Sequence, residues 1–297
     1  MFGRIFLVLV IFSIIFGIWL GHKDNLATFD NVRYVADQNP VIDNLASPTT
    51  TETSLIEKAN DISASNTAST TPPTPIKYSD YIEIVNSCGP HFEGGCVSMR
   101  SGPGTDYSTV LALRDGVVLK TSGTVEAQGR TWYKIVFDEW IRYPERLSKN
   151  LYVASDYAKL MSVPGEVKTN ATNTKRIIVD RSEQKLYAYD GDELFMKISV
   201  STGLSDMPTP RGNFKIFSKI PSRYMQGPLP GISDQEYDLP GVPWTMYFTA
   251  EGAAIHGAYW HDKFGSVWSH GCVNLPIAEA EKLYNWAPIG TRVTVQD

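Results

Sequence analysis

The sequence predicts a mainly β protein in four parts: an N-terminal transmembrane helix, a flexible tether, a small barrel of short strands, and a second mainly β domain with one clear helix. Three observations carry this reading. Ile5 to Leu20 is an almost unbroken apolar run, residues 46 to 77 are rich in Ser, Thr, Ala and Pro, and from residue 78 onward short β-branched and aromatic runs alternate with Gly, Pro and Asp turn signals. The 297 residues are 42% hydrophobic and 20% charged, which excludes a disordered or fibrous chain. Lys plus Arg total 27 against 32 Asp plus Glu, a net charge of -5 with no long basic run, so nucleic acid is not an expected partner. The 3 cysteines are too few for a disulfide scaffold or a four-cysteine zinc site, and the odd count leaves one thiol over.

Residues 1–23 read as a membrane anchor. The apolar run is broken only by Ser13 and Gly17, is preceded by Arg4, and ends at Ile18, Trp19 and Leu20 without the small-x-small pattern of a cleavage site. Its length lies near the lower limit for a spanning helix, and Trp19 stands where an interfacial aromatic belongs. The charge bias leans toward a cytoplasmic N-terminus, which puts the rest of the chain in the cell envelope outside the membrane. Residues 24–77 read as the tether, because most of them show no sustained period of two or 3.6.

In residues 78–163, strand-like runs at 81–85, 117–123, 131–137 and 151–157 are separated by Gly102-Pro103-Gly104 and Asp115-Gly116. Cys88 and Cys96 lie eight positions apart, flanked by Gly89, Gly94 and Gly95. With an export segment and His91 as the only other good ligand nearby, a disulfide is the reading, contributing roughly 2.5 kcal/mol by loop entropy; two reduced thiols are the alternative. The segment Val97 to Thr105, with Val110-Leu111 and Trp132-Tyr133-Lys134, resembles the bacterial Src-homology-3-like domains found beside cell-wall enzymes. That resemblance implies a wall-binding or spacer role.

Residues 175–297 form the second domain. Strand-like runs at 176–180, 184–189 and 194–201 surround a polar gap at Arg181 to Glu183 and an Asp190-Gly191 turn. Pro276 opens a helix over IAEAEKLYNW, with Ile277, Ala280, Leu283 and Tyr284 on one face and Pro288 and Gly290 beyond its end.

The chemistry gathers in IHGAYWHDKFGSVWSHGCVNLP, which holds His256, His261 and His270, three of the five histidines, together with Cys272. Three readings are open: a zinc site, whose ligand spacings would be unusual; a structural cysteine; and a nucleophilic cysteine with a histidine base. Proximity to a helix N-terminus and an imidazolium would favour a thiolate, and Gly271 would let consecutive N–H groups converge on an oxyanion.

His256-Gly257, an eleven-residue gap and then Ser269-His270-Gly271-Cys272-Val273-Asn274, preceded by Ser201-Thr202-Gly203 and Thr209-Pro210-Arg211-Gly212, resembles the L,D-transpeptidase catalytic domain of the YkuD type. The resemblance implies a β-sandwich-like fold and a peptidoglycan enzyme that needs neither metal nor cofactor. A stem tetrapeptide acylates the cysteine, losing its terminal D-alanine, and the side-chain amine of a second stem takes the acyl group. It implies Cys272 as nucleophile and His256 as base. It further implies the Gly257 carbonyl as the group orienting that ring, and the N–H groups of His270, Gly271 and Cys272 as oxyanion donors. Many members carry Arg where this chain has Asn274. An L,D-carboxypeptidase and a non-catalytic wall-binding protein are the alternatives.

Between Lys219 and Tyr247 the chain is rich in Gly, Pro and aromatics and is hard to fit as a strand. A long loop of this kind suggests a flap, with Tyr224, Met225 and Trp244 as walls of a substrate groove, or else a surface loop without substrate contact. His261-Asp262 reads as a turn cap.

Overall fold

The computed structural model describes residues 78–164, 174–231 and 233–297, which all fall in one compact unit. The expected anchor and tether lie outside the described residues. Among the described residues no helix is long and apolar enough to cross a membrane.

The first region contributes β1 (Tyr78–Ile84), β2 (Val97–Arg100), β3 (Thr109–Leu113), β4 (Val118–Ala127), β5 (Arg130–Ile135), β6 (Leu151–Ala154) and β7 (Ala158–Pro164). They pair antiparallel in the order β3-β2-β6-β5-β4-β1-β7. Ile82, Ile84, Met99, Leu113, Leu119 and Val153 are fully buried at alternate strand positions and form its core. Cys88 and Cys96 are joined by a disulfide, and Cys272 is free.

The second region is a β sandwich with one helix. One sheet contains β8 (Lys175–Asp180), β9 (Lys185–Asp190), β10 (Glu193–Ser199), β11 (Gly212–Lys215) and, from the end of the chain, a strand over Arg292–Gln296. The other contains β12 (Ser218–Leu229), β13 (Ser233–Tyr247), β14 (Ala254–Gly257) and β15 (Val273–Leu275). Helix α1 (Ile277–Trp286) follows β15, and the strand over Arg292–Gln296 is β16, inserted between β8 and β11. Ile177, Val179, Leu186 and Val293 from the first sheet meet Met246, Ile255, Val273 and Leu275 from the second in one core, closed by Ala280 and Leu283 of α1.

The stretch 219–247, expected as an irregular flap, is a long antiparallel hairpin of β12 and β13. Two of its prolines, Pro228 and Pro240, sit where the ladder is broken: the register shifts between Arg223 and Met225 and again between Gly227 and Leu229. A proline has no N–H to donate, and a bulge removes the need for one. The hairpin is also packed against the first region. Gly241 has φ 63°, and a Cβ there would lie 2.3 Å from the Val118 carbonyl oxygen, so only glycine permits this approach. Ser222 Oγ donates to the Val118 carbonyl at 2.6 Å, Tyr224 N–H to Glu139 at 2.8 Å, and Tyr143 O–H to the Pro228 carbonyl at 2.8 Å. Val242 and Tyr259 complete the core of the first region. The two expected small domains therefore share buried surface.

Candidate active site

Strands β14 and β15 run parallel, with Ile255 opposite Val273 and His256 opposite Asn274. Side chains alternate along a strand, so His256 and Asn274 share a face; Cys272 stands in the bend that enters β15, where the Ala254 backbone of β14 reaches its thiol. His256 is buried and its Nδ1 lies 3.0 Å from the Gly257 carbonyl oxygen. A carbonyl only accepts, so the ring proton sits on Nδ1 and Nε2 carries the lone pair. Burial is the main cause holding the His256 pKa down at about 4, against the Gly257 carbonyl, which favours the proton.

Cys272 is half-buried, and its Sγ lies 4.0 Å from the Gly252 carbonyl oxygen. Burial pushes its thiol up from the ordinary range, opposed by a hydrogen bond from the Ala254 backbone. This corrects the expectation of a stabilised thiolate: Cys272 precedes β15, α1 starts only at Ile277, and the nearby imidazole is neutral. The resting pair is thus thiol and imidazole, with the proton still to be moved.

The loop before Cys272 is braced on several sides. Gly271 takes φ 109°, a conformation side chains avoid. Its N–H donates to Ser269 Oγ at 3.2 Å, while Ser269 O–H donates to the Cys272 carbonyl at 2.6 Å. Thr209 O–H reaches the same carbonyl at 3.3 Å and itself accepts from Gly203 N–H at 2.9 Å. Ser201 exchanges backbone hydrogen bonds with Asn274 at 2.9 and 3.0 Å. The Ser-Thr-Gly and Thr-Pro-Arg-Gly segments thus hold the cysteine loop from behind. Gly271 N–H, expected as an oxyanion donor, is committed to Ser269. Among the described residues the N–H groups of His270 and Cys272 meet no protein acceptor.

The other two histidines turn elsewhere. His270 Nε2 lies 2.6 Å from Gln235 Oε1, and its ring stacks on Tyr237 at 5.9 Å, so the hairpin covers the site through β13. His261, expected as a turn cap, does accept the Lys263 N–H on Nδ1 at 3.1 Å, but it is also buried and reaches Asn274 across the site at 2.8 Å from Nε2. With Nδ1 accepting, the neutral ring carries its proton on Nε2. Two donors cannot share that contact, so the carboxamide oxygen of Asn274 faces His261 and its NH2 takes the position that has no protein partner. The His261 pKa is held down at about 4, by burial first. The histidines do not converge on Cys272 as a ligand set, and no group of three or more His, Cys, Asp or Glu is arranged for a metal among the described residues.

The proposed groove walls need correction. Tyr224 is 3% exposed, packed on Phe137 at 5.0 Å with its O–H on Asp238 at 3.1 Å; Trp244 is 4% exposed and packs on Tyr284 at 5.3 Å. Met225 is partly buried and packs against the core of the first region. These side chains anchor the hairpin on its buried sides. Aromatic rings at the site are Trp260, 5.7 Å from the His256 ring, and Tyr237, whose phenol burial pushes up to about 12, helped by the nearby Cys272 and opposed by Arg142. No local signal separated Tyr237 from the other aromatics of the hairpin, because strand register decides which of them faces His270.

Residues 174–295 match the model of the YkuD family, described as the L,D-transpeptidase catalytic domain. YqjB of Bacillus subtilis (strain 168), which carries an L,D-transpeptidase name, is 28% identical over 144 residues, 46% of this chain and 74% of that protein. A Mycobacterium tuberculosis protein named as L,D-transpeptidase 3 is 33% identical over 101 residues, 33% of this chain and 37% of its own length. A crystal structure of a cysteine-to-serine mutant of Enterococcus faecium L,D-transpeptidase aligns at 25% identity and TM-score 0.38, over 41% of this chain and 49% of that one. The chain thus spans about half of that structure. Residues 174–295 belong to the YkuD family as an L,D-transpeptidase catalytic domain.

Proposed function

We propose that this chain cross-links peptidoglycan by acylating Cys272 with a stem tetrapeptide and passing the acyl group to an amine of a second stem. The observation that carries the reading is the parallel pairing of β14 and β15, which brings Cys272, at the entry to β15, against the strand that carries His256, whose Nε2 lone pair is kept available by the Gly257 carbonyl. As Sγ attacks the carbonyl carbon before the terminal D-alanine, His256 Nε2 takes the thiol proton. The N–H groups of Cys272 and His270 hold the oxyanion, with Gly271 shaping their loop. Collapse breaks the C–N bond, and His256 returns the proton to the leaving amine. The incoming amine then gives its proton to His256 as it attacks the thioester, and that proton returns to Sγ when the new amide forms.

With a neutral resting pair, no ion pair has to be desolvated when the stem peptide covers the site. The Cys88–Cys96 disulfide supports an oxidising compartment, and with the apolar run Ile5 to Leu20 we place the enzyme on the outer side of a membrane, anchored by that run, with the first region as a Src-homology-3-like wall-facing module. Incubation of the full chain with stem tetrapeptide should yield a cross-linked dimer and, by intact mass, a tripeptide adduct on Cys272 that is absent from Cys272→Ala. Release of D-alanine without any dimer would make it a carboxypeptidase instead. Dimer formation by Cys272→Ala would overturn the mechanism.

A further inference from the structure

The five-stranded sheet carries a row of three cations on its outer face. Along β8, β16 and β11 the inward residues Ile177 and Val293 are fully buried and Phe214 packs on the same core, so their neighbours face out. Register sets Lys215 opposite Arg292 and Arg292 opposite Arg176, one cation on each of three adjacent strands. Adjacent strands lie about 4.8 Å apart, and like charges directly opposite destabilise a sheet. The chain as a whole is acidic, at -5. Nothing in the folding of β11, β16 and β8 calls for this row.

Nor is it neutralised in place. Among the described residues its one ion pair is Arg176 with the fully exposed Asp192, at 3.8 Å. Among the described residues neither Lys215 nor Arg292 has an ion-pair partner. Arg176 is held by the Gly191 carbonyl and by the face of Tyr189, 4.6 Å away, so its guanidinium is oriented before any ligand arrives. In the next row Thr294 O–H donates to Asn213 Oδ1 at 2.8 Å, leaving the Asn213 NH2 available. These five polar residues and Phe214 line a cavity of about 600 Å³. No carboxylate lines it.

We propose that this cavity binds the phosphate groups of a soluble phosphodiester-linked polymer. Several oxygens on one phosphate match two guanidiniums and an ammonium, and Arg forks favour that geometry. A straight row of cations suits a linear chain of successive charges. A pocket lined also by an amide and a hydroxyl fits a polar backbone between phosphates better than it fits a lipid surface. None of β8, β11 and β16 carries a residue of the Cys272 site, so such a ligand would hold the enzyme beside an anionic polymer without entering the reaction.

The test uses the full chain and short synthetic poly(glycerol phosphate), with poly-glutamate and phosphatidylglycerol vesicles as other anions. The expected result is saturable binding of poly(glycerol phosphate), weakened at least about tenfold in Lys215→Gln/Arg292→Gln, with the salt slope reduced by roughly one per cation removed. Lys149→Gln, at an exposed site elsewhere, should bind as the parent does, and Cys272 alkylation should be equal in all variants. Arg292→Glu should lose binding while its Tm rises by about 2–4 °C, since repulsion in the row becomes attraction. Undiminished binding in the double variant, equal affinity for poly-glutamate, binding to vesicles alone, or no binding at all would each overturn the proposal.

Discussion

His256 and His261 are a matched pair that differ in one contact. Both are buried, both are held neutral with a pKa of about 4, and both neighbour Asn274 of β15, His256 by strand register and His261 by a hydrogen bond. His256 gives its Nδ1 proton to the Gly257 carbonyl, so Nε2 is a lone pair; His261 accepts the Lys263 N–H on Nδ1, so Nε2 is a donor, and it goes to Asn274. Burial alone thus says nothing about which histidine is a base. The backbone group met by the other ring nitrogen decides it.

The largest effect should separate the two roles. Cys272→Ala should abolish cross-linking and His256→Ala should cost roughly a hundredfold or more in kcat/KM. The double variant should be no worse than Cys272→Ala, because the two act as one unit. His261 should matter less, but it is not the silent turn cap its sequence position suggests. His261→Ala leaves the Asn274 carboxamide oxygen buried without a donor, which costs about 1–3 kcal/mol of stability. Turnover should fall roughly tenfold, with recovery in His261→Gln, whose amide can donate to the same oxygen. Steady-state kinetics beside thermal melts check both, and a loss in His261→Ala as deep as in His256→Ala would erase the distinction.

The pH dependence sharpens it further. Because burial raises the Cys272 thiol and lowers His256, iodoacetamide alkylation of Cys272 should climb with pH to beyond about 8.5, with no plateau at pH 5–7 of the kind a thiolate–imidazolium pair produces. Stability follows the histidines with a definite sign. The unfolded chain takes up their protons near pH 6.5 and the folded chain only near about 4, so between those values the unfolded state binds more protons. Stability is therefore full above pH 6.5 and lost as pH falls toward 4. Melts of the parent and of His261→Gln across this window should show a shallower loss in the variant. The smallest effect is expected at Tyr237→Phe, about twofold in KM, since ring stacking on His270 persists without the hydroxyl.

The parts legible in the sequence were those with a local cause. Helix α1 was delimited by Pro276 and Pro288, β8 to β10 by their alternation and by Gly191, and the cysteine loop by Gly271 between His270 and Cys272. The hairpin was not legible, because its five prolines argue against strands, and the bulges that admit Pro228 and Pro240 are a property of the paired partner. The same holds for Tyr224 and Trp244, whose burial depends on Phe137 and Tyr284, far away in the chain. Asn274 and His261 are 13 positions apart, and nothing in their spacing announces a hydrogen bond. Which N–H groups of the cysteine loop are already engaged was not legible either, since Ser269 claims the Gly271 N–H through a side-chain contact.

The most direct test is the proton position on the two rings, read by long-range 1H–15N NMR of the full chain at neutral pH. A neutral His256 with its proton on Nδ1 and a neutral His261 with its proton on Nε2 is the result expected of a base and its donor counterpart. A proton on Nε2 of His256, or on both of its nitrogens, would mean that no lone pair faces Cys272 in the resting enzyme and would contradict His256 as the base.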